Sequence, residues 1–372
     1  MARANGTPGV LLTDDEQQRI RLTVASNAVP LPYFDLLPIA DPNRKGYGFL
    51  LIAVPRSLSS PHAVIVNEGF RYPKRNGTTT RFLTESEVAT AYRDRFAAAR
   101  RGVERVEKVE ADAITHLGAR ESIWLIVTLA ADLPGDMMVD RQTLAEFRQQ
   151  AVSMSPMITR SEGYTLRRVT VGQRRLIADD SMNSAGSPNS IRVELHGDGS
   201  GVFAMRIMDL REHLPMRQPG DAKGISDEQV VYGLLSALRY LALHARDRAH
   251  AGGNATLKAR ILPTGPLASL QLFQVHPRGF INRLGEETVS REVVSEDHVV
   301  SLDSLASEGP SLVSAAYLIA SDMFQPFGFP DATQVTSDGG IRENYWGIAT
   351  MNDLRAWADA EGVPVRAETV PR

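Results

Sequence analysis

Apolar and polar positions recur along this chain with periods that separate helices from strands. Thr13-x-x-Glu16 is a capping box, and it predicts a helix to about Asn27 with Ile20 and Val24 inward, ended by Pro30 and Pro32. Tyr33 to Ile39 reads as a strand, and Asp41 to Gly46 as a turn. Gly48 to Val54 is a near-continuous apolar run, which predicts a buried strand. Ala63 to Val66 and Phe70 to Tyr72 flank Asn67-Glu-Gly69 with hairpin-like spacing. Pro73 removes a backbone donor, so the strand there is an edge or is ending. Asn76-Gly77 is a turn signal, and Thr78, Thr79 and Thr80 suit a returning strand with Phe82 packed inward. Thr84 and Glu87 form a second capping box. Behind it Val88, Tyr92 and Phe96 share one expected buried face, with Arg93 and Arg100 on another, in a helix that runs past Gly102 to about Leu117.

The character changes at Gly118 to Arg120, where a domain boundary is expected. Ser122 to Ala130 is a strongly apolar strand, and Asp140 caps a helix carrying Leu144, Phe147 and Ala151. Tyr164 to Val171 with Arg174 to Ala178, and Ile191 to Leu195 with Val202 to Ile207, read as two hairpins, closed by Gly172-Gln173 and by His196-Gly-Asp-Gly-Ser-Gly201. Ser226 caps the longest helix of this part, with Gln229 at the capping-box position, a stripe of Val230, Leu234, Leu238 and Leu241, and Gly252-Gly253 as its stop. Further strands are expected at Leu257 to Leu262, Leu267 to Val275, Glu292 to Ser295 and Val299 to Leu302. Pro310 opens a helix with Leu312, Ala316, Ile319 and Met323 inward. A hairpin around Ser337 to Gly340 and a last helix from Asn352 to Glu361 complete the reading. Strand pairs followed by a helix occur twice, at 190–250 and 256–325, which hints at two lobes. Hairpins outnumber crossovers, so the expected class is α+β: two domains, 1–117 and 118–372, with mixed or largely antiparallel sheets and packed helices.

Composition narrows the chemistry. The 372 residues are 43% hydrophobic and 23% charged, ordinary for a globular protein. The chain holds no Cys, which excludes disulfides, thiolate metal sites and Cys nucleophiles. No apolar run has membrane-spanning length and the start carries no signal-peptide pattern, so a cytoplasmic protein is the expectation. The chain carries a net charge of −3, but Arg71 to Lys108 holds ten Lys/Arg against five Asp/Glu. That segment suits an anionic partner; the other reading is a solvated face laced with intrahelical ion pairs.

The same segment carries a resemblance. The apolar strand Phe49 to Val54 ending in Pro55-Arg56, then Tyr72-x-x-Arg75-x-Gly77-x-Thr79 and the helix after Thr84, resemble the second half of the Schlafen AlbA-2 domain, found in many bacterial proteins. The resemblance spans roughly residues 10 to 100. It implies a DNA-binding or ATP-binding protein, often given a helix-turn-helix label. The family's opening Glu-Phe-Lys-like strand, its helix and its Ala-Asn-x-x-Gly-Gly-like segment have no counterpart here, and the acidic nuclease ligands lie in that half. Nuclease activity is therefore not implied; a degenerate relative, or a start codon placed late, is.

Residue by residue, the expected nucleic-acid surface comprises Arg71, Lys74, Arg75, Asn76, Gly77, Thr78, Thr79, Arg81, Arg93 and Arg100. Arginine forks suit phosphate, and such contacts position nucleic acid without reading its sequence. No catalytic residue, metal ligand or cofactor is assigned. Ser200 lies in a turn-like context rather than a nucleophile elbow. Asp179-Asp180 reads as a solvated loop. His244 and His250 read as helix-end residues favoured by the dipole. The expected function is nucleic-acid binding, DNA before RNA, regulatory and non-catalytic. The alternatives are a scaffold that forms homo-oligomers through sheet edges, and a nucleotide-binding protein or enzyme.

Overall fold

The computed structural model describes residues 9–367 apart from 33, 43, 55–56, 58–59, 68, 77, 118–121, 160–163, 181–189, 211–221, 265–268, 276–280, 285–286 and 290. The chain divides into two compact units, Met1–Arg100 and Arg101–Arg372. Gly118 to Arg120 lie outside the described residues.

In the first unit, β1 (Val10–Leu11) is followed by α1 (Asp14–Asn27), β2 (Ala28–Val29), β3 (Asp35–Ala40) and β4 (Tyr47–Ala53). Then come β5 (Ala63–Val66), β6 (Gly69–Arg71), β7 (Pro73–Asn76) and β8 (Thr79–Phe82). These strands make three small antiparallel sheets, ordered β1-β4-β3, β2-β5-β6 and β7-β8. Both expected caps start helices, but only the second box closes: Thr13 accepts from the Glu16 amide while the Glu16 carboxylate pairs with Arg19, whereas Thr84 accepts from the Glu87 amide and Glu87 in turn from the Thr84 amide. The packing departs from the pattern. β4 is not buried: Phe49, Leu51 and Ile52 are each about half exposed. An apolar run buries both faces only if a layer covers each, and α1 has no buried residue. Phe82 and Phe96 are also exposed rather than inward.

The long helix α2 (Glu85–Ile114) runs unbroken through Gly102. The second unit continues with β9 (Ser122–Leu133), α3 (Arg141–Ser153), β10 (Arg168–Gly172), β11 (Arg175–Asp179), β12 (Ile191–His196) and β13 (Gly201–Ile207). After these come β14 (Lys223–Ser226), α4 (Asp227–Leu243), β15 (Gly252–Thr264), β16 (Leu270–Val275), β17 (Ile281–Arg283), β18 (Val293–Val294) and β19 (His298–Ser301). α5 (Leu302–Ala306), α6 (Pro310–Phe324), β20 (Ile341–Arg342), α7 (Ile348–Glu361) and β21 (Val365–Arg366) complete the described order.

One eight-stranded antiparallel sheet organises this unit, ordered β10-β11-β12-β13-β9-β15-β18, with β19 also on β15. β12 and β13 therefore share a sheet with β15, β18 and β19 and do not form two lobes, while β14, β16 and β17 make a separate three-stranded sheet. Alternation decides its two faces. Leu125, Val127, Phe203, Met205, Leu257 and Ile261 point to the main core, where α4, α5 and α6 contribute Leu234, Leu305 and Ile319. On the opposite face Ile126, Val202 and Ala204 meet Val109, Ala113 and Leu117 of the segment that α2 begins. The class is α+β with mostly antiparallel sheets. Two local expectations give way. α4 passes into a π-helical turn, His244–Arg248, instead of being stopped by Gly252-Gly253, which begin β15. Around Ser337 to Gly340 only a single bridge, Val335 to Ile341, forms, and β20 pairs in parallel with β21.

Candidate functional site

The sequence-predicted residues are spread over several surfaces of the first unit. In the β7-β8 ribbon Lys74 lies opposite Arg81, and Arg75 opposite Thr80. The strand period therefore sends Lys74 and Arg81 to one face and Arg75 to the other. Asn76 pairs with Thr79, Thr78 is exposed in the turn, and Gly77 lies outside the described residues. Arg75 Nη1 donates to Thr80 Oγ1 at 3.3 Å. Arg81 is held by both carboxylate oxygens of Glu87, at 2.8 and 2.6 Å, and that arginine with the Thr84 amide draws the Glu87 pKa down to about 2. Arg71, at the end of β6, stands 5.5 Å from the Phe82 ring centre. Arg93 donates to Thr90 Oγ1, and Arg100 is exposed where the first unit ends. The ribbon and helix thus present cations in several directions, with Arg81 largely neutralised.

A second assembly lies wholly in the second unit. Residues 105, 108, 112 and 115–116 recur at helical spacing, opposite the stripe Val106, Val109, Ala113 and Leu117 that packs on the sheet. Beneath them, strand alternation sends Leu176, Ala178, Val193 and Leu195 to the main core and Arg175, Asp179, Arg192, Glu194 and His196 to the face that α2 covers. Two turns close the space. Gly172 pairs with Arg175, so the β10-β11 turn is Gln173-Arg174, with Arg174 at φ 55°. In the β12-β13 turn the His196 amide donates to the Ser200 carbonyl at 2.9 Å, and Gly199 takes φ 86°. A side chain at Gly199 would strike Ala251, so both backbone and space call for glycine.

The result is a cavity of about 560 Å³. The helix supplies Arg105, Lys108 and Asp112, the turn after it Thr115 and His116, and the two hairpins Gln173 to Arg175 and His196 to Asp198. Its floor is a charge network. Glu194 is buried and accepts from Arg192 at 2.7 Å, with Arg175 at 3.2 Å and His116 at 3.7 Å. Asp179 lies between Arg168 at 2.8 Å and Arg192 at 3.3 Å. Asp179 therefore ends a strand within ion pairs and is not part of a solvated loop.

At the wall, Arg105 pairs with Asp198 at 2.8 Å and donates to Ser200 Oγ at 3.0 and 3.2 Å. Ser200 Oγ donates in turn to Asp198 Oδ1 at 2.6 Å. Burial pushes the Asp198 carboxyl up, but Ser200 and Arg105 outweigh it and hold it below its ordinary value. The Ser200 hydroxyl is buried and fully engaged, and it braces the turn. His196 is 7% exposed, and its Nε2 has no hydrogen-bond partner among the described residues. Burial first, and Arg105 second, lower its pKa to about 4. His244 is fully buried, and its Nε2 donates to the His196 carbonyl at 2.9 Å. Burial keeps that ring neutral, so it is not the dipole-favoured cation expected at a helix end.

Sequence reasoning missed this cavity as a unit. Arg105 and Lys108 fall in the basic run, and the Gly-rich turn was legible as a hairpin. Nothing in sequence joins segments 105–116, 173–175 and 196–198. Among the described residues no group of three His, Cys, Asp or Glu is gathered as a metal would require, and no helix is long and apolar enough to cross a membrane. No family model matches the chain, and no curated protein or solved structure matches it either.

Proposed function

We propose that the protein binds nucleic acid through phosphate contacts made by its first unit. The observation that supports this is the two-stranded ribbon β7-β8, exposed at every described position whose side chain is placed, with Lys74 and Arg75 on it and Arg71 just before it. A narrow ribbon with cations on both faces suits a backbone that is gripped from two sides, and it offers few groups for reading base edges. Arg93 and Arg100 extend the cationic surface along the helix. The role is regulatory and non-catalytic, with DNA the first candidate on the strength of the family resemblance.

Fluorescence anisotropy with single- and double-stranded DNA and RNA tests this at low and moderate salt. Wild type is expected to bind with a steep salt dependence. Arg71→Ala/Lys74→Ala/Arg75→Ala is expected to flatten the slope of log K against log salt by about 2–3. Binding without salt dependence, or unaltered in the triple variant, overturns the reading.

One observation favours a second reading, a self-associating scaffold. In the β1-β4-β3 sheet, register places Leu37 opposite Leu51, Ile39 opposite Phe49, and Leu11 opposite Tyr47. Leu11, Leu37, Ile39, Phe49 and Leu51 are all about half exposed on that one face. A second copy offers the same apolar face about a two-fold axis, so one surface suffices for pairing. Light scattering across concentration at moderate salt should show a dimer that Phe49→Glu converts to monomer.

A further inference from the structure

The cavity of the second unit has a lining that selects a kind of ligand. Among the described residues that line it there is no Phe, Tyr, Trp or aliphatic side chain. The lining is charged and hydrogen-bonding throughout, so a ligand rich in hydroxyls and negative charge finds partners there that an apolar group does not. Its charges are unequally committed. Arg105 is paired with Asp198, and Arg175 with Glu194. Lys108 and Arg174 line the cavity with no anionic partner within ion-pair distance among the described residues. Asp112 and Gln173 add acceptor oxygens, and Thr115 a hydroxyl. Arg174 is also held at φ 55°, a conformation that costs a non-glycine residue about 1 kcal/mol or more.

We infer that this cavity binds a phosphorylated polyol, in chemical class a sugar phosphate. The phosphate is held between Lys108 and Arg174, and the ligand hydroxyls by Asp112, Thr115 and Gln173. Lysine supplies a point charge and arginine a fork that matches two phosphate oxygens. The volume of about 560 Å³ exceeds the needs of a bare phosphate and is within the range of small-molecule sites. A carboxylate beside the cations disfavours a ligand charged throughout and favours one with hydroxyls to donate. The inference concerns a different unit from the nucleic-acid reading and does not depend on it.

The test is calorimetric titration and thermal shift on the full chain with ribose 5-phosphate, with ribose, inorganic phosphate and ATP as comparisons. Wild type is expected to bind ribose 5-phosphate more tightly than inorganic phosphate or ATP, and not to bind ribose. Lys108→Ala and Arg174→Gly are each expected to weaken ribose 5-phosphate about tenfold or more. Arg174→Gly should leave the unliganded Tm unchanged or raised, because glycine adopts φ 55° freely; loss of binding there is not loss of fold. The Arg71/Lys74/Arg75 triple variant should bind ribose 5-phosphate like wild type. No binding of ribose 5-phosphate, undiminished binding in both single variants, or tighter binding of ATP than of ribose 5-phosphate overturns the proposal.

Discussion

Gly102 sits where α2 passes β15, and a Cβ placed there would lie 2.6 Å from Thr256 Oγ1, on a short, buried side chain that has little room to give. Helix propensity alone favours Gly102→Ala by about 1 kcal/mol, while forcing a methyl into a filled contact costs about 1–3 kcal/mol. The clash should win. Gly102→Ala is expected to lower stability by about 1 kcal/mol in wild type and to raise it in a Thr256→Ala background. Urea denaturation of the four chains reads this directly; a gain in both backgrounds would refute the close approach. The charge network beneath the cavity makes a second residue-level case. Glu194 is buried among Arg192 and Arg175, so Glu194→Gln takes the counter-charge from Arg175 and leaves Arg192 with Asp179 alone. A loss of about 3 kcal/mol is expected by the same measurement, against a negligible change for exposed Glu85→Gln.

At the scale of elements, α4 is anchored at its first residue by Asp227, a fully buried carboxylate. One oxygen accepts from the Glu228 amide at 2.7 Å and the other from Gln334 Nε2 at 2.5 Å. Burial pushes its pKa up to about 7, above the ordinary 3.8. The folded chain therefore holds this proton where the unfolded chain has lost it, and the stability it contributes disappears as pH rises from about 4 to about 7. His196 and His244 act with the opposite sign. Their folded pKa values, about 4 and about 3, lie below the ordinary 6.5, so the unfolded chain takes up protons first and stability falls as pH drops below about 6.5. The two effects offset each other in wild type. In Asp227→Asn the amide oxygen still accepts from Glu228, and the NH₂ donates to a reoriented Gln334 oxygen. This variant should gain Tm at pH 8, gain nothing at pH 4, and show the histidine-driven loss below pH 6.5 without offset. A Tm profile parallel to wild type across this range would contradict the assignment. Elements of this kind were largely legible in the sequence, because their signals are local. Thr13, Thr84, Asp140 and Ser226 cap helices, and Pro310 opens one. What sequence could not carry was which faces are covered. Phe49, Phe82 and Phe96 have the spacing of buried residues yet stand exposed, since covering depends on partners distant in the chain. The cavity was hidden for the same reason: its helix face, its two turns and its buried glutamate come together only when β11, β12 and α2 stack.

For the whole molecule, the two compact units are unequal in what they bury. In the first, Leu36 and Ala63 are the only buried hydrophobic residues among those described, and most of the exposed large apolar side chains among the described residues lie there. The second holds a continuous core through β9, β13, β15, α4 and α6. Burial of apolar surface is the main favourable term in folding, so the first unit should unfold at the lower denaturant concentration. The chain supplies a convenient reporter: its three tryptophans, Trp124, Trp346 and Trp357, all belong to the second unit. Tryptophan fluorescence in urea should show one late transition, and far-UV circular dichroism an earlier one as well; coincident midpoints would refute the inequality. The same experiment separates the two binding proposals, because a ligand stabilises the unit that holds it. Double-stranded DNA should raise the early midpoint and leave the fluorescence transition in place. Ribose 5-phosphate should move the fluorescence transition alone. A shift of the fluorescence midpoint by DNA that is abolished in Lys108→Ala would instead assign the phosphate backbone to the cavity of the second unit, and both readings would fall together.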